Sequence, residues 1–108
     1  MTVDIRLYSG LAGQAGRLTA VRHELEPLLR SVPGVERFQL IETPEGLVIV
    51  TEAETRAACA ECALCADRWM NERMPSLAGY QPLAVAGEVI IEFDAFDSAR
   101  LATRFFNR

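Results

Sequence analysis

Three cysteines occupy every third position of one segment, as Cys59, Cys62 and Cys65. The C-x-x-C-x-x-C spacing is typical of metal and iron–sulfur sites, in which thiolates bind the metal. In a helix, however, Cys59 and Cys65 are separated by about 9 Å along the axis. Two sulfurs bound to one zinc ion lie only roughly 4 Å apart. The sequence has no fourth cysteine, and its only histidine lies on another predicted helix.

The same cysteines share one helical face with apolar residues, namely Ala58, Ala66, Trp69, Met70 and Leu77. We therefore predict that they are buried in the core and bind no metal, with a redox role as the remaining alternative. Asp67, Arg68 and Asn71 lie on the other side of this helix, which we expect to face solvent. An odd number of cysteines also argues against a disulfide framework.

Five further residues are candidates for a site. His23 is an acid/base by type, but its helical position points away from the apolar stripe, which favours an exposed surface residue. Trp69, the only tryptophan, is a core anchor or the wall of a cavity between helix and sheet. Arg6 and Tyr8 share one strand face, and Arg73 lies near Trp69 on the helical wheel. If the sheet curves, these polar groups point into a pocket; in a flat sheet they are solvated.

The first half of the chain predicts a strand, a helix and a hairpin. Apolar and polar residues alternate over Val3–Leu7, the pattern of a half-buried strand. From Arg17 to Val32 the apolar spacing becomes helical, with a kink at Pro27 and an end at Pro33-Gly34. Residues 35–42 and 47–53 are predicted strands, joined by a turn at residues 43–46.

The second half predicts a long helix, a β segment and a C-terminal arm. Thr55 is the predicted N-cap of the helix, which runs to about Met74. Residues 83–93 are rich in β-formers, and Gly87 suggests a bulge within them. Residues 97–107 are predicted to form a short helix. We expect residues 94–108 to pack on a partner subunit, because their large apolar side chains need a surface to cover them.

Composition favours one domain that associates with itself. The chain has 108 residues, 50% of them hydrophobic, and a net charge of −4. A domain of this size leaves much of its surface exposed, so the surplus apolar surface predicts a homodimer. Its arginines are dispersed among acids, which argues against nucleic-acid binding. The sequence has no apolar run of membrane-spanning length and no signal-peptide pattern at its start, so we expect no membrane partner and a cytoplasmic location.

Several of these features together resemble one known family. The βαββαβ order, the stretch from Glu26 to Gly34 (EPLLRSVPG), the hairpin carrying Glu52 and the second helix carrying Trp69 are similar to antibiotic-biosynthesis-monooxygenase-like domains. These belong to the dimeric α+β barrel superfamily. The resemblance covers residues 1–93. It implies an α+β, ferredoxin-like protomer whose sheet packs against that of a second copy, with a cavity between each sheet and its helices.

The resemblance also implies a function. Relatives include cofactor-free monooxygenases of polycyclic phenols, quinol oxidases and haem-degrading enzymes. We therefore expect a small apolar or aromatic ligand, contacted by Trp69, Tyr8, Arg6, Arg73 and Cys65, with no cofactor if the chain is an oxygenase. Cys65 stands where the phenol oxygenases have an asparagine, one turn before the tryptophan. The alternatives are a ligand-binding protein without turnover and a structural dimer with a filled barrel.

Overall fold

The computed structural model describes residues 1–11, 13–76 and 79–93. Four strands and three α-helices follow one another along the chain. They are β1 (Thr2–Tyr8), α1 (Ala15–Ala20), α2 (Arg22–Arg30), β2 (Val35–Thr43), β3 (Gly46–Ala53), α3 (Arg56–Arg73) and β4 (Leu83–Glu88). No helix within these residues is long and apolar enough to cross a membrane.

The strands form one antiparallel sheet in the order β2-β3-β1-β4. This is the ferredoxin-like arrangement, so the predicted protomer fold is confirmed. Thr55 caps α3 as predicted, because its side-chain oxygen accepts a hydrogen bond of 3.1 Å from the Ala58 N–H. The β2–β3 hairpin is closed by Thr43, whose Oγ1 accepts a hydrogen bond of 3.1 Å from the Gly46 N–H.

Two predicted elements differ from the structure. The single helix over residues 17–32 is two helices that meet at Val21, whose φ of −110° and ψ of 15° interrupt the helical backbone. Pro27 lies within α2, and the break lies six residues earlier. β4 ends at Glu88, and its register with β1 passes regularly through Gly87, so the predicted bulge is wrong. The predicted helix at residues 97–107 lies outside the described residues.

The two faces of the sheet differ sharply in chemistry. On β1, the inner face carries Thr2, Asp4, Arg6 and Tyr8 and is covered by the helices; Thr2, for example, accepts a hydrogen bond from the Cys59 thiol through its carbonyl oxygen. The opposite, outer face is aliphatic and no helix covers it. The alternating residues Val3–Leu7 therefore point their apolar side chains away from the protomer's own helices.

Registry places eight aliphatic side chains on the outer face. They are Val3, Ile5, Leu7, Ile41, Val48, Val50, Leu83 and Val85. Leu83 is 71% exposed and Val85 is 63% exposed, values far above those of core residues. The helix side holds the core of the protomer, in which Leu11, Leu18, Leu47 and Trp69 pack together.

Candidate functional site

A cavity of about 170 Å³ lies between the inner face of the sheet and α3. Its apolar wall comes from both layers and consists of Leu11, Leu18, Leu40, Leu47, Ile49, Met70 and Pro82. Its polar groups are Tyr8, Asp67, Asn71, Tyr80 and Gln81. A mainly apolar concavity with a few polar groups is the usual form of a small-molecule site. This cavity is the candidate site.

Tyr8 stands at the end of β1, opposite Leu47 in the β1–β3 register. Burial raises the pKa of Tyr8 above its usual value of 10.0, and the negative charge of Asp67 raises it further, whereas the neighbouring Arg6 acts in the opposite direction. The Tyr8 side chain is therefore a neutral phenol at physiological pH. It can donate a hydrogen bond to a ligand oxygen that becomes negatively charged.

Arg6 is held beside the cavity by two carboxylates. Its Nε donates a hydrogen bond of 3.0 Å to Oδ1 of Asp4, and its guanidinium lies 3.9 Å from Oδ2 of Asp67. The Arg6 and Asp4 side chains are only 23% and 13% exposed, so the closer pair is shielded from bulk water. The longer contact connects β1 to α3 and orients the Asp67 carboxylate at the cavity.

Asp67 and Asn71 correct the sequence analysis, which expected both to face solvent. They are one helical turn apart on α3 and both line the cavity. The four-residue spacing of a carboxylate and an amide was a usable signal, because such residues share one helix face. The helical wheel gave the faces of α3 but not its rotation relative to the sheet.

Tyr80 and Gln81 were also absent from the predicted site. They belong to the connection between α3 and β4 and line the cavity together with Pro82. The Tyr80 ring packs on the backbone of Gly10 in the 3₁₀ turn Ser9–Leu11 that follows β1. Tyr80 thus forms part of the cavity mouth, with 43% of its surface exposed.

The other predicted residues lie around the cavity in different roles. Trp69 is buried with Leu11, Leu18 and Leu47, three residues that also form the cavity wall. Arg73 donates a hydrogen bond of 2.5 Å to Glu24, which ties the end of α3 to α2.

The cysteines lie where the core interpretation placed them. Cys59 and Cys62 are buried, and Cys65 is half-buried beside the cluster of Leu29, Val32 and Cys62. Burial raises the pKa of the Cys62 thiol from 9.0 to about 11, so this thiol is protonated at neutral pH and is a poor nucleophile. His23 is exposed on α2, as predicted.

A second, wider concavity lies along the sheet edge formed by β2. We call it the edge groove; its volume is about 700 Å³. Its floor is apolar and consists of Leu18, Leu25, Leu29, Val35, Phe38 and Leu40. Its rim carries Arg22, Glu26, Arg30, Glu36 and Arg37. Leu18 and Leu40 line both the edge groove and the cavity, so these two residues separate them.

Comparison with known proteins places this architecture. No protein-family model matches the sequence, and no curated protein matches it. Among solved structures, an antibiotic biosynthesis monooxygenase is similar over 83% of this chain and 98% of its own, with 18% identity and a TM-score of 0.56. The chain has the fold of an antibiotic-biosynthesis-monooxygenase-like domain. The fold that the resemblance implied is therefore confirmed.

Two further solved structures of this fold hold aromatic ligands. A variant of MhuD with two manganese protoporphyrin IX molecules bound per active site has a TM-score of 0.66 and 19% identity, over 87% of this chain and 99% of its own. A monooxygenase from the gene ActVA-Orf6 of Streptomyces coelicolor, in complex with nanaomycin D, has a TM-score of 0.58 and 16% identity, over 86% of this chain and 89% of its own.

Proposed function

We propose that this chain binds a small aromatic phenol in the cavity between the sheet and α3, and that it oxidises the phenol with molecular oxygen without a cofactor. The observation that carries the proposal is the position of a neutral Tyr8 phenol, the Asp67 carboxylate and the Asn71 amide around one apolar cavity. The likeness to a monooxygenase in complex with nanaomycin D supports an aromatic ligand.

Cavity volume limits the size of the ligand. An apolar cavity of about 150 Å³ holds one benzene ring, and the volume here is about 170 Å³. Ligand sites for larger molecules usually measure about 300–1,000 Å³. We therefore propose a ligand with one aromatic ring, in contrast to the polycyclic phenols that the resemblance implied.

Haem does not fit this site. A porphyrin is far larger than a single ring, and the only histidine, His23, is exposed on α2 and does not line the cavity. Haem degradation is therefore not the function that these residues support, although a relative in fold binds a metalloporphyrin.

The proposed reaction converts a phenol with a free para position to a para-quinone. One atom of O₂ enters the ring, the other leaves as water, and the substrate supplies all four electrons. Asp67 accepts the phenolic proton, and Arg6 holds the Asp67 carboxylate in place. Tyr8 and Asn71 donate hydrogen bonds to the resulting phenolate and peroxide oxygens, which stabilises charge as it develops.

A homodimer is part of the proposal. The outer face presents eight aliphatic side chains without a covering layer in the protomer, whereas a stable domain covers both faces of such a sheet. We propose that the outer faces of two protomers pack against each other, which leaves each cavity on the outside of the paired sheets. The cytoplasmic location stays a prediction.

A ligand-binding protein without turnover is the second candidate. The observation that favours it is Cys65, which replaces the asparagine of the phenol oxygenases and packs beside Leu29, Val32 and Cys62. Its thiol cannot supply the hydrogen bonds of an amide. Catalysis then depends on Asn71 from the next turn of the helix.

The test has a binding stage and a turnover stage. Because Trp69 is the only tryptophan and lies behind the cavity, its fluorescence should report binding of 2,6-dimethylphenol. Turnover is measured as O₂ uptake with a chelator present, and ¹⁸O₂ should place one labelled atom in the quinone. The Tyr8→Phe variant should lose at least about tenfold in rate, the loss of one hydrogen bond in the transition state. The His23→Ala variant serves as control.

The outcomes separate the candidates. Binding with labelled quinone supports the oxygenase. Binding without oxygen uptake supports the second candidate. The absence of any fluorescence change with one-ring and two-ring phenols alike contradicts both and leaves the structural dimer.

A further inference from the structure

The edge groove is a surface that requires an occupant. Six apolar side chains form its floor, and β2, which borders it, is an edge strand of the sheet that the described residues form. An edge strand presents backbone N–H and C=O groups that can pair with another extended segment. The groove is thus suited to an extended, partly apolar peptide.

The chain itself contains a segment of this kind, Val89–Phe93. Ile90, Ile91 and Phe93 are 90%, 82% and 80% exposed, the highest values among the large hydrophobic residues described. The segment is tied to the protomer at its start, where the Val89 N–H donates a hydrogen bond of 2.9 Å to the Met1 carbonyl. Large apolar side chains exposed in this way indicate a surface that another chain covers.

The segment cannot occupy the edge groove of its own protomer. β4 and β2 are the two opposite edges of the sheet, separated by three interstrand spacings, about 14 Å in all. In addition, the segment continues away from the sheet past the end at which Glu88 pairs with Thr2. A second copy is therefore the source that geometry favours.

We propose that Val89–Phe93 of one protomer lies in the edge groove of its partner as a strand added to β2. The inference rests on the homodimer of the proposed function. If the two-fold axis between the outer faces runs along the strands, the β4 edge of one protomer lies opposite the β2 edge of the other. The two strands are then antiparallel, since β4 and β2 run in opposite directions in the sheet.

Side-chain alternation predicts which residues enter the groove. Val85 and Gly87 lie on the outer face, and continued alternation keeps Ile91 and Phe93 on that face, between the two sheets. Ile90 and Glu92 then point to the helix side of the partner, where the groove floor is apolar and its rim carries Arg22 and Arg30. Ile90 therefore covers the apolar floor, and Glu92 lies near basic side chains.

The arrangement connects the dimer to the ligand site. Leu18 and Leu40 separate the edge groove from the cavity, so a segment seated in the groove packs against the far side of the cavity wall. The partner subunit then supports that wall without contributing a residue that touches the ligand.

Cross-linking between two different chains tests the inference. In a Cys65→Ser background, one chain carries Ile90→Cys and the other Phe38→Cys; they are mixed, allowed to exchange subunits and treated with a short bis-maleimide. We expect a covalent dimer in the mixture, in up to about half of the dimers, the statistical share of mixed pairs. We expect none with either chain alone. Ile91→Cys is the matched control, because its side chain points to the other face and should not react with Phe38→Cys.

Every outcome decides the question. If Phe38→Cys does not fold, Arg22→Cys on the exposed rim of the same groove replaces it. Cross-linking within a single chain that carries both cysteines, but not between chains, overturns the proposal in favour of the protomer's own segment. A dimer in sedimentation without any cross-link overturns the segment's placement and leaves the homodimer intact. A monomer in sedimentation overturns the homodimer and, with it, this inference.

Discussion

Tyr80 packs so closely on Gly10 that only glycine fits beneath it. A Cβ atom built at Gly10 would lie 2.0 Å from Cε1 and 2.3 Å from Cδ1 of the Tyr80 ring. Real Cβ contacts are never this short, so any larger residue displaces the ring. Because Tyr80 forms part of the cavity mouth, the size of residue 10 controls access to the candidate site.

We therefore expect Gly10→Ala to change ligand binding far more than stability. The displaced group is the end of a half-exposed side chain, so the free energy of unfolding should change by less than about 1 kcal/mol. Phenol affinity, measured by Trp69 fluorescence, should change several-fold, and larger phenols should gain relative to smaller ones. Gly16→Ala is the control, since no atom lies within 4 Å of a Cβ there. Equal effects of the two substitutions would contradict the role of Tyr80.

The buried Cys62 thiol predicts a loss of stability at alkaline pH. Its pKa rises from 9.0 to about 11 in the folded protein. As pH increases through 9, the unfolded chain loses its thiol proton first, so the thiol's contribution is complete below pH 9 and is lost between pH 9 and about pH 11. Urea unfolding at pH 7, 9 and 10 should show this decline, and it should be smaller in Cys62→Ala. Parallel pH profiles for the two proteins would contradict the assignment.

The Thr55 cap predicts a stability difference between two small substitutions. The Thr55 side chain satisfies the Ala58 N–H in the first turn of α3. Thr55→Ala removes the acceptor and should cost about 1 kcal/mol of unfolding free energy, whereas Thr55→Ser keeps it and should cost little. Chemical denaturation measures both. Since Thr55 is exposed, a loss of similar size in both variants would point to another cause.

Local chemistry made several elements predictable from the sequence. The Thr55 cap, the turn at residues 43–46 and the alternation in β1 are each decided by residues close together in the chain. The break at Val21 was not predicted, because the apolar spacing continues across it and no glycine or proline marks the position.

The site was less predictable because it depends on how layers pack. Alternation showed that Arg6 and Tyr8 share a face, but it could not show that the helices cover this polar face. Asp67 lines the cavity only because of the rotation of α3 about its axis. Tyr80 reaches the cavity from a connection that carries no periodic pattern.

The outer face predicts that one central substitution separates the protomers. Ile5 lies in the middle of that face, opposite Val50 on β3 and Val85 on β4, and it is 42% exposed in the protomer. An arginine here meets solvent in an isolated protomer, so folding should survive. In a dimer the same arginine is buried against an apolar sheet without a carboxylate partner, which is costly.

We therefore expect Ile5→Arg to be a folded monomer at concentrations at which the unchanged chain sediments as a dimer. Its melting temperature should be independent of concentration, whereas that of the dimer should rise with concentration. Leu64→Arg on α3 is the matched control, because Leu64 is 50% exposed but lies on the helix side of the molecule. It should remain dimeric. If Ile5→Arg also remains dimeric, the outer faces are not the interface, and the association must use a different surface.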